Sequence, residues 1–117
     1  MPQTDFGAGL QNASEITLTV TGRSSGRPIS LPIWFTVEGN TLYLIPLKGS
    51  DTEWYKNVRK NPSIRLQSRG NTLTATVRIL TDSTHLDHVL ELFRNKYGRN
   101  VKSYYPKYDV IVEVPLD

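Results

Sequence analysis

Between two runs of alternating apolar residues stands TGRSSGRP, Thr21 to Pro28. A hairpin turn needs little more than glycine and a small polar residue. This one offers Gly22, Arg23, Ser24, Ser25, Gly26 and Arg27. Successive turn N–H groups form a concave nest for an anion. Arginine adds a planar, permanently charged fork that matches phosphate. Each charge-assisted bond contributes ~1.5–3 kcal/mol, so three of them hold a phosphate firmly. A second anion-competent stretch, Lys48-Gly49-Ser50, closes an apolar strand just before a helix N-terminus, which also favours anions. Trp34, Trp54 and Tyr55 supply flat apolar surface nearby. A phosphate clamp beside aromatic and aliphatic strand residues suits a ring-bearing, phosphorylated ligand. The turn alone reads more readily as a solvated hairpin; the second loop and Trp54 tip the balance to the binding reading.

Other chemistries are poorly supplied. With no cysteine and two histidines, neither thiolate chemistry nor a metal site is expected. GRSSGRP lacks the GK[ST] ending of a nucleotide-binding loop, and no G-x-S-x-G elbow or pair of catalytic carboxylates is present. An enzyme built from these residues would rely on a bound cofactor. Net charge is +3, and Trp54 to Thr81 holds six basic residues and no acid, which favours anionic partners. The start lacks the basic and apolar regions of a signal peptide, and no apolar run approaches the ~20 residues of a membrane span. A cytoplasmic protein is the expectation.

The elements follow from periodicity. Ile16, Leu18 and Val20 alternate with threonines as a strand with one polar face. ISLPIWFTV (29–37) alternates again, with Pro32 marking an edge or bulge. TLYLIPL (41–47) is apolar on both faces and so is expected to be covered on both. A short helix spans about 52–60, capped by Asp51 or Thr52 and stopped by Asn61-Pro62. SIRLQS, the turn RGN and TLTATVRIL form a hairpin with Leu73, Ala75, Val77 and Ile79 inward. Thr84-His85-Leu86-Asp87 reads as a capping box for a helix that Gly98 ends, and DVIVEV is a last strand. The expected fold is mainly β with two helices (α+β), a six-stranded antiparallel barrel with helices outside. Residues 1–117 form a single domain, with 1–14 a flexible or loosely packed N-terminal segment.

TGRSSGRPISLPIWF, LKGS and WYKNVRKNPSIRLQ, in this order, resemble the deazaflavin-dependent nitroreductase family, within the flavin and deazaflavin split β-barrel oxidoreductases that include pyridoxamine phosphate oxidase-like proteins. The likeness is carried by Ile16 to Gln67. It implies an FMN-binding-like split barrel and hydride transfer from reduced deazaflavin F-420 to quinones, nitro compounds or other conjugated acceptors. Arg23 and Ser25 match positions that grip the cofactor's phosphate arm, and Lys48 and Gly49 match a second phosphate loop. Pro32, Ile33 and Trp34 match the strand along the ring, Trp54 an aromatic beside it, and Asn57 lies in the same helical motif. Tyr104, Tyr105 and Tyr108 resemble tyrosines on the acceptor side. Ser24 stands where relatives often carry lysine, and Ile29 where another cation occurs; Arg27 compensates in part. An N-terminal helical extension found in some relatives is not matched, and the loop from Lys48 to Trp54 is shorter. FMN, with one phosphate, therefore stays open beside F-420. A cofactor carrier or sensor and a nucleic-acid-binding barrel are competing readings. A homodimer is compatible with the resemblance.

Overall fold

The computed structural model describes Leu10 and residues 13–116. Most of the N-terminal segment expected to be loosely packed lies outside the described residues. Of that segment, Leu10 and Ala13 are buried in the main core and Ser14 is exposed.

Among the described residues, eight strands form two four-stranded antiparallel sheets. The first has the order β2-β1-β5-β6, from Pro28–Ile33, Ile16–Thr21, Ser63–Ser68 and Asn71–Thr76. The second has the order β3-β4-β8-β7, from Thr36–Glu38, Thr41–Leu44, Ile111–Pro115 and Arg78–Leu80. The mixed α+β class is as expected, but the single six-stranded barrel is replaced by two sheets. The reason is local. Each of the two longest apolar runs breaks and serves both sheets. ISLPIWFTV breaks after Ile33: Phe35 and Thr36 are buried in succession, so the inward phase slips by one residue as the chain changes sheet. TLTATVRIL breaks at Val77: its N–H makes a last in-register bond to Pro62 O (3.0 Å), but Pro62 has no N–H to return, and the pairing with β5 ends there. Among the described residues β2 pairs only with β1, so Pro32 sits on an edge, where its missing donor is harmless.

Alternation decides the packing. Leu18 pairs with Leu31 on one side and Leu66 on the other, and the inward residues of both sheets build the main core. β4 is covered on both faces, as its composition requires. Leu42 and Leu44 enter the main core, while Tyr43 and Ile45 pack outward with Val89, Phe93 and Ile111 in a second core. That second core is made by α2, Ser83–Tyr97, and a 3-10 helix, Arg99–Tyr104. Ile79, expected inward, is 36% exposed because β7 is an edge strand.

Both expected helices form. α1 spans Glu53–Lys60 and buries Trp54, Tyr55, Asn57 and Val58. Its N-cap residue, Thr52, accepts instead from Lys48 N (2.7 Å), tying the preceding loop. The cap of α2 is Asp82 rather than the expected Thr84 box: Asp82 Oδ2 accepts from His85 N at 3.1 Å. A carboxylate two residues upstream is a stronger acceptor and also complements the helix dipole.

Candidate functional site

An apolar cleft of about 390 Å³ opens where the ends of β2 and β4 meet the start of α1. Pro32, Ile33 and Trp34 line one side; Leu47 and Trp54 line another. Tyr104 and Tyr105, at the end of the 3-10 helix, close a third. A second pocket of about 490 Å³ is lined by Gly22, Arg23, Ser24 and Ser25 of the first turn and by Glu53 and Asn57 of α1. Leu31, Thr52 and Trp54 line both, so the two are neighbours across one shared wall. An apolar slot beside a polar end is the shape for a flat ring with a charged arm.

The turn is held by α1. The Asn57 Oδ1 accepts from Arg23 N (3.1 Å) and from Arg23 Nη1 (2.8 Å). Arg23 Nη2 pairs with Glu53 Oε1 at 2.9 Å, and Lys60 Nζ donates to Arg23 O at 3.2 Å. Within the turn, Gly22 N donates to Arg27 O, Gly26 N to Gly22 O, and Arg27 N to Ser25 Oγ. Gly26 has φ +70°, a conformation that favours glycine. Ser24 N and Ser25 N find no acceptor among the described residues. These two N–H groups, the adjacent hydroxyls and the remaining Arg23 donors are what the turn offers an anion.

Lys48-Gly49-Ser50 is engaged differently. Ser50 N and Ser50 Oγ both donate to Asp109, at 2.9 and 2.7 Å. Burial pushes the Asp109 carboxyl up, but the bonds from Ser50 outweigh it and hold the group below its ordinary value. Gly49 has φ +56°, and a Cβ there would collide with Asp109 and with Lys107 O. The loop thus holds an anion, but one of the chain's own. Lys48, Gly49 and Ser50 line neither pocket; Lys48 is exposed, and its ammonium has no partner among the described residues. Arg27 is also exposed and outside both linings.

The three C-terminal tyrosines separate. Tyr104 is 57% exposed at the cleft and meets the edge of Trp34, with ring centroids 5.3 Å apart. Tyr105 lines the cleft but is buried against Phe93. Tyr108 turns away and donates to Leu86 O of α2 at 2.5 Å. Burial pushes the phenols of Tyr105 and Tyr108 well up, so neither gives a proton readily.

Tyr97 was not singled out from the sequence, where its helical spacing reads as core. Its ring stacks on Trp34 at 4.4 Å and 8°. Its hydroxyl accepts from Phe35 N (3.0 Å) and donates toward Ser14 O (2.7 Å). Tyr97 therefore holds Trp34 and the chain between β2 and β3. Glu53 also went unnoticed, since it appears in sequence as an ordinary first-turn acid. Among the described residues, no cluster of three or more His, Cys, Asp or Glu is placed to hold a metal.

The family model described as F420H(2)-dependent quinone reductase matches residues 2–115. Among solved structures, an F420-H2 dependent reductase superposes with a TM-score of 0.70 at 24% identity, over 86% of this chain and 93% of that one. A putative 5-nitroimidazole antibiotic resistance protein from Bacteroides thetaiotaomicron gives 0.72 at 16% identity, over 96% and 78%. A putative pyridoxamine 5'-phosphate oxidase from Listeria innocua gives 0.71 at 18%, over 97% and 92%. At these identities the structures share the fold.

Proposed function

Because the chain belongs to the F420H(2)-dependent quinone reductase family, and is therefore an oxidoreductase that uses F-420, we propose that the apolar cleft and the adjoining polar pocket form one site for F-420 and a conjugated acceptor, a quinone or nitro compound. The observation that carries this reading is the shared wall of Leu31, Thr52 and Trp54. The donor set fits the group: a tricyclic ring needs a slot with flat walls, and its anionic arm needs donors that are not already engaged. Ser24 N–H, Ser25 N–H and the Arg23 N–H groups left over from Asn57 and Glu53 meet the second need at the polar end.

Reduced F-420, when bound, supplies a hydride. Pro32, Ile33 and Trp34 flank the ring's place, with Trp34 held from behind by Tyr97. The apolar lining keeps water from the transfer. A quinone that becomes a quinol takes up a proton besides the hydride. Tyr104, exposed at the mouth of the cleft, holds that proton at its hydroxyl. Arg23 and Ser25 grip the arm; Asn57 positions Arg23. Lys48 assists only at longer range.

The family selects F-420 over FMN, which the sequence left open. The nucleic-acid reading loses support as well. The basic run is divided among α1, β5, its turn and β7, with Lys56 paired to Glu53 and Arg78 to Glu113. A homodimer belongs to the same proposal; a matched structure at 23% identity is a domain-swapped dimer. Among the described residues, no helix is long and apolar enough to cross a membrane; placement in the cytoplasm is likewise part of the proposal.

Titration with F-420 and with FMN tests the reading. F-420 should bind in the micromolar range or tighter at low salt, weaken as salt rises, and support quinone reduction when reduced. Arg23→Ala should weaken F-420 binding at least tenfold, or ~1.4 kcal/mol, and Lys48→Ala by less. Tightly held FMN with no response to F-420 would overturn it.

A further inference from the structure

Both loops that the sequence offers to an anion hold a carboxylate of this chain, and the two carboxylates are held differently. Asp109 is half-buried, and each of its oxygens is bonded to Ser50. It is a permanent occupant. Glu53 is exposed, with one oxygen on Arg23 (2.9 Å) and the other on Lys56 (3.5 Å). It lies in the polar pocket beside Ser24 and Ser25. Exposed pairs of this kind exchange readily with water and with other anions.

We propose that Glu53 is a specificity-determining residue, an internal anion that shields Arg23 and must leave it when the arm of the cofactor binds. The inference rests on the site reading above. Asn57 keeps Arg23 in place through a separate bond to Nη1, so release of Glu53 does not free the guanidinium from the turn. The carboxylate is thus dispensable for holding Arg23, while its charge opposes an incoming phosphate. The hydrogen bond from Arg23, followed by the charges of Arg23 and Lys56, keeps the Glu53 carboxyl below its ordinary value, so it is ionised at neutral pH. The consequence is discrimination: the local positive charge available to an anionic arm is one unit smaller than the basic residues alone would supply, and highly charged ligands are disfavoured most.

The experiment compares F-420 affinity, read by the ligand's own fluorescence, in the full chain and in Glu53→Gln, Arg23→Ala and the double variant. Glutamine keeps the size and a hydrogen-bonding oxygen but removes the charge. Glu53→Gln should bind F-420 about three- to tenfold more tightly at low salt, a gain that shrinks as salt rises. The gain should be largely lost in the Arg23→Ala background. The tail-free deazaflavin chromophore, which has no phosphate, should bind the full chain and Glu53→Gln alike. Equal or weaker F-420 binding by Glu53→Gln would overturn the proposal, since Glu53 would then be neutral or would orient Arg23. A gain of the same size without Arg23, or with the tail-free chromophore, would also overturn it. Failure of the unmodified chain to bind F-420 at all is a separate outcome: it removes the site reading and this inference with it.

Discussion

Three tyrosines close in sequence have three environments, and each environment sets a role. Tyr104 faces the cleft, Tyr105 lines it while buried, and Tyr108 ties the C-terminal segment to α2. Tyr104→Phe should lower kcat for quinone reduction by about tenfold or more, as loss of a positioned proton donor does, with F-420 affinity unchanged. Tyr108→Phe should leave steady-state kinetics intact and destabilise the fold by about 1 kcal/mol, the worth of one buried hydrogen bond. Wild-type kinetics in Tyr104→Phe would return that residue to packing. Arg23 makes the same point. Its type and place in the turn advertised anion binding, but its partners, Glu53 and Asn57, lie 30 and 34 residues away. Which of its donors remain open cannot be read from the turn.

The loop before α1 shows how one element depends on another. The 3-10 turn Gly49–Asp51 is locked to the C-terminal segment through Ser50 and Asp109. Asp109 titrates below the ordinary 3.8 in the folded chain. The folded state therefore takes up this proton later than the unfolded one. The stabilisation is complete above pH 3.8 and is lost as pH falls through the lowered folded value. Asp109→Asn should lower Tm at neutral pH and make the fall of Tm between about pH 5 and about pH 2 shallower. An unchanged acid limb would show that Asp109 does not contribute to it. Gly49 is demanded by this lock and not by a phosphate, because the space for a Cβ is already filled by Asp109 and Lys107.

At the scale of the molecule, two cores share the second sheet. β4 and β8 present one face to each: Leu42 and Val112 to the main core, Tyr43 and Ile111 to the helical one. A sheet used on both faces couples the cores. Leu18→Ala in the main core should cost about 2–5 kcal/mol, and Phe93→Ala in the other about 3–5 kcal/mol. Each should lower a single unfolding transition seen alike by far-UV dichroism and tryptophan fluorescence. Separate transitions for the two signals would mean that the cores unfold independently. The cleft lies where both cores end, between Trp54 of the first and Trp34 and Tyr105 of the second, so losses in either should reach the site.

Local features were legible in the sequence because they depend on neighbours along the chain. Period-2 alternation placed β1 and β5, the two-sided apolar run announced that β4 is covered twice, and Pro32 marked an edge. Gly98 ended α2, and the Gly-, Ser- and Arg-rich segment marked the turn between β1 and β2. The order of three short blocks was enough to suggest the family. Tertiary structure alone decided where the long apolar runs break, because a strand changes sheets only when partners distant in sequence are available on both sides. It also decided which donors stay open. Ser50 is satisfied by a carboxylate 59 residues away, whereas Ser24 N and Ser25 N are left without an acceptor among the described residues. A residue's type sets what it can bind; the chain's path through space sets what it has already bound.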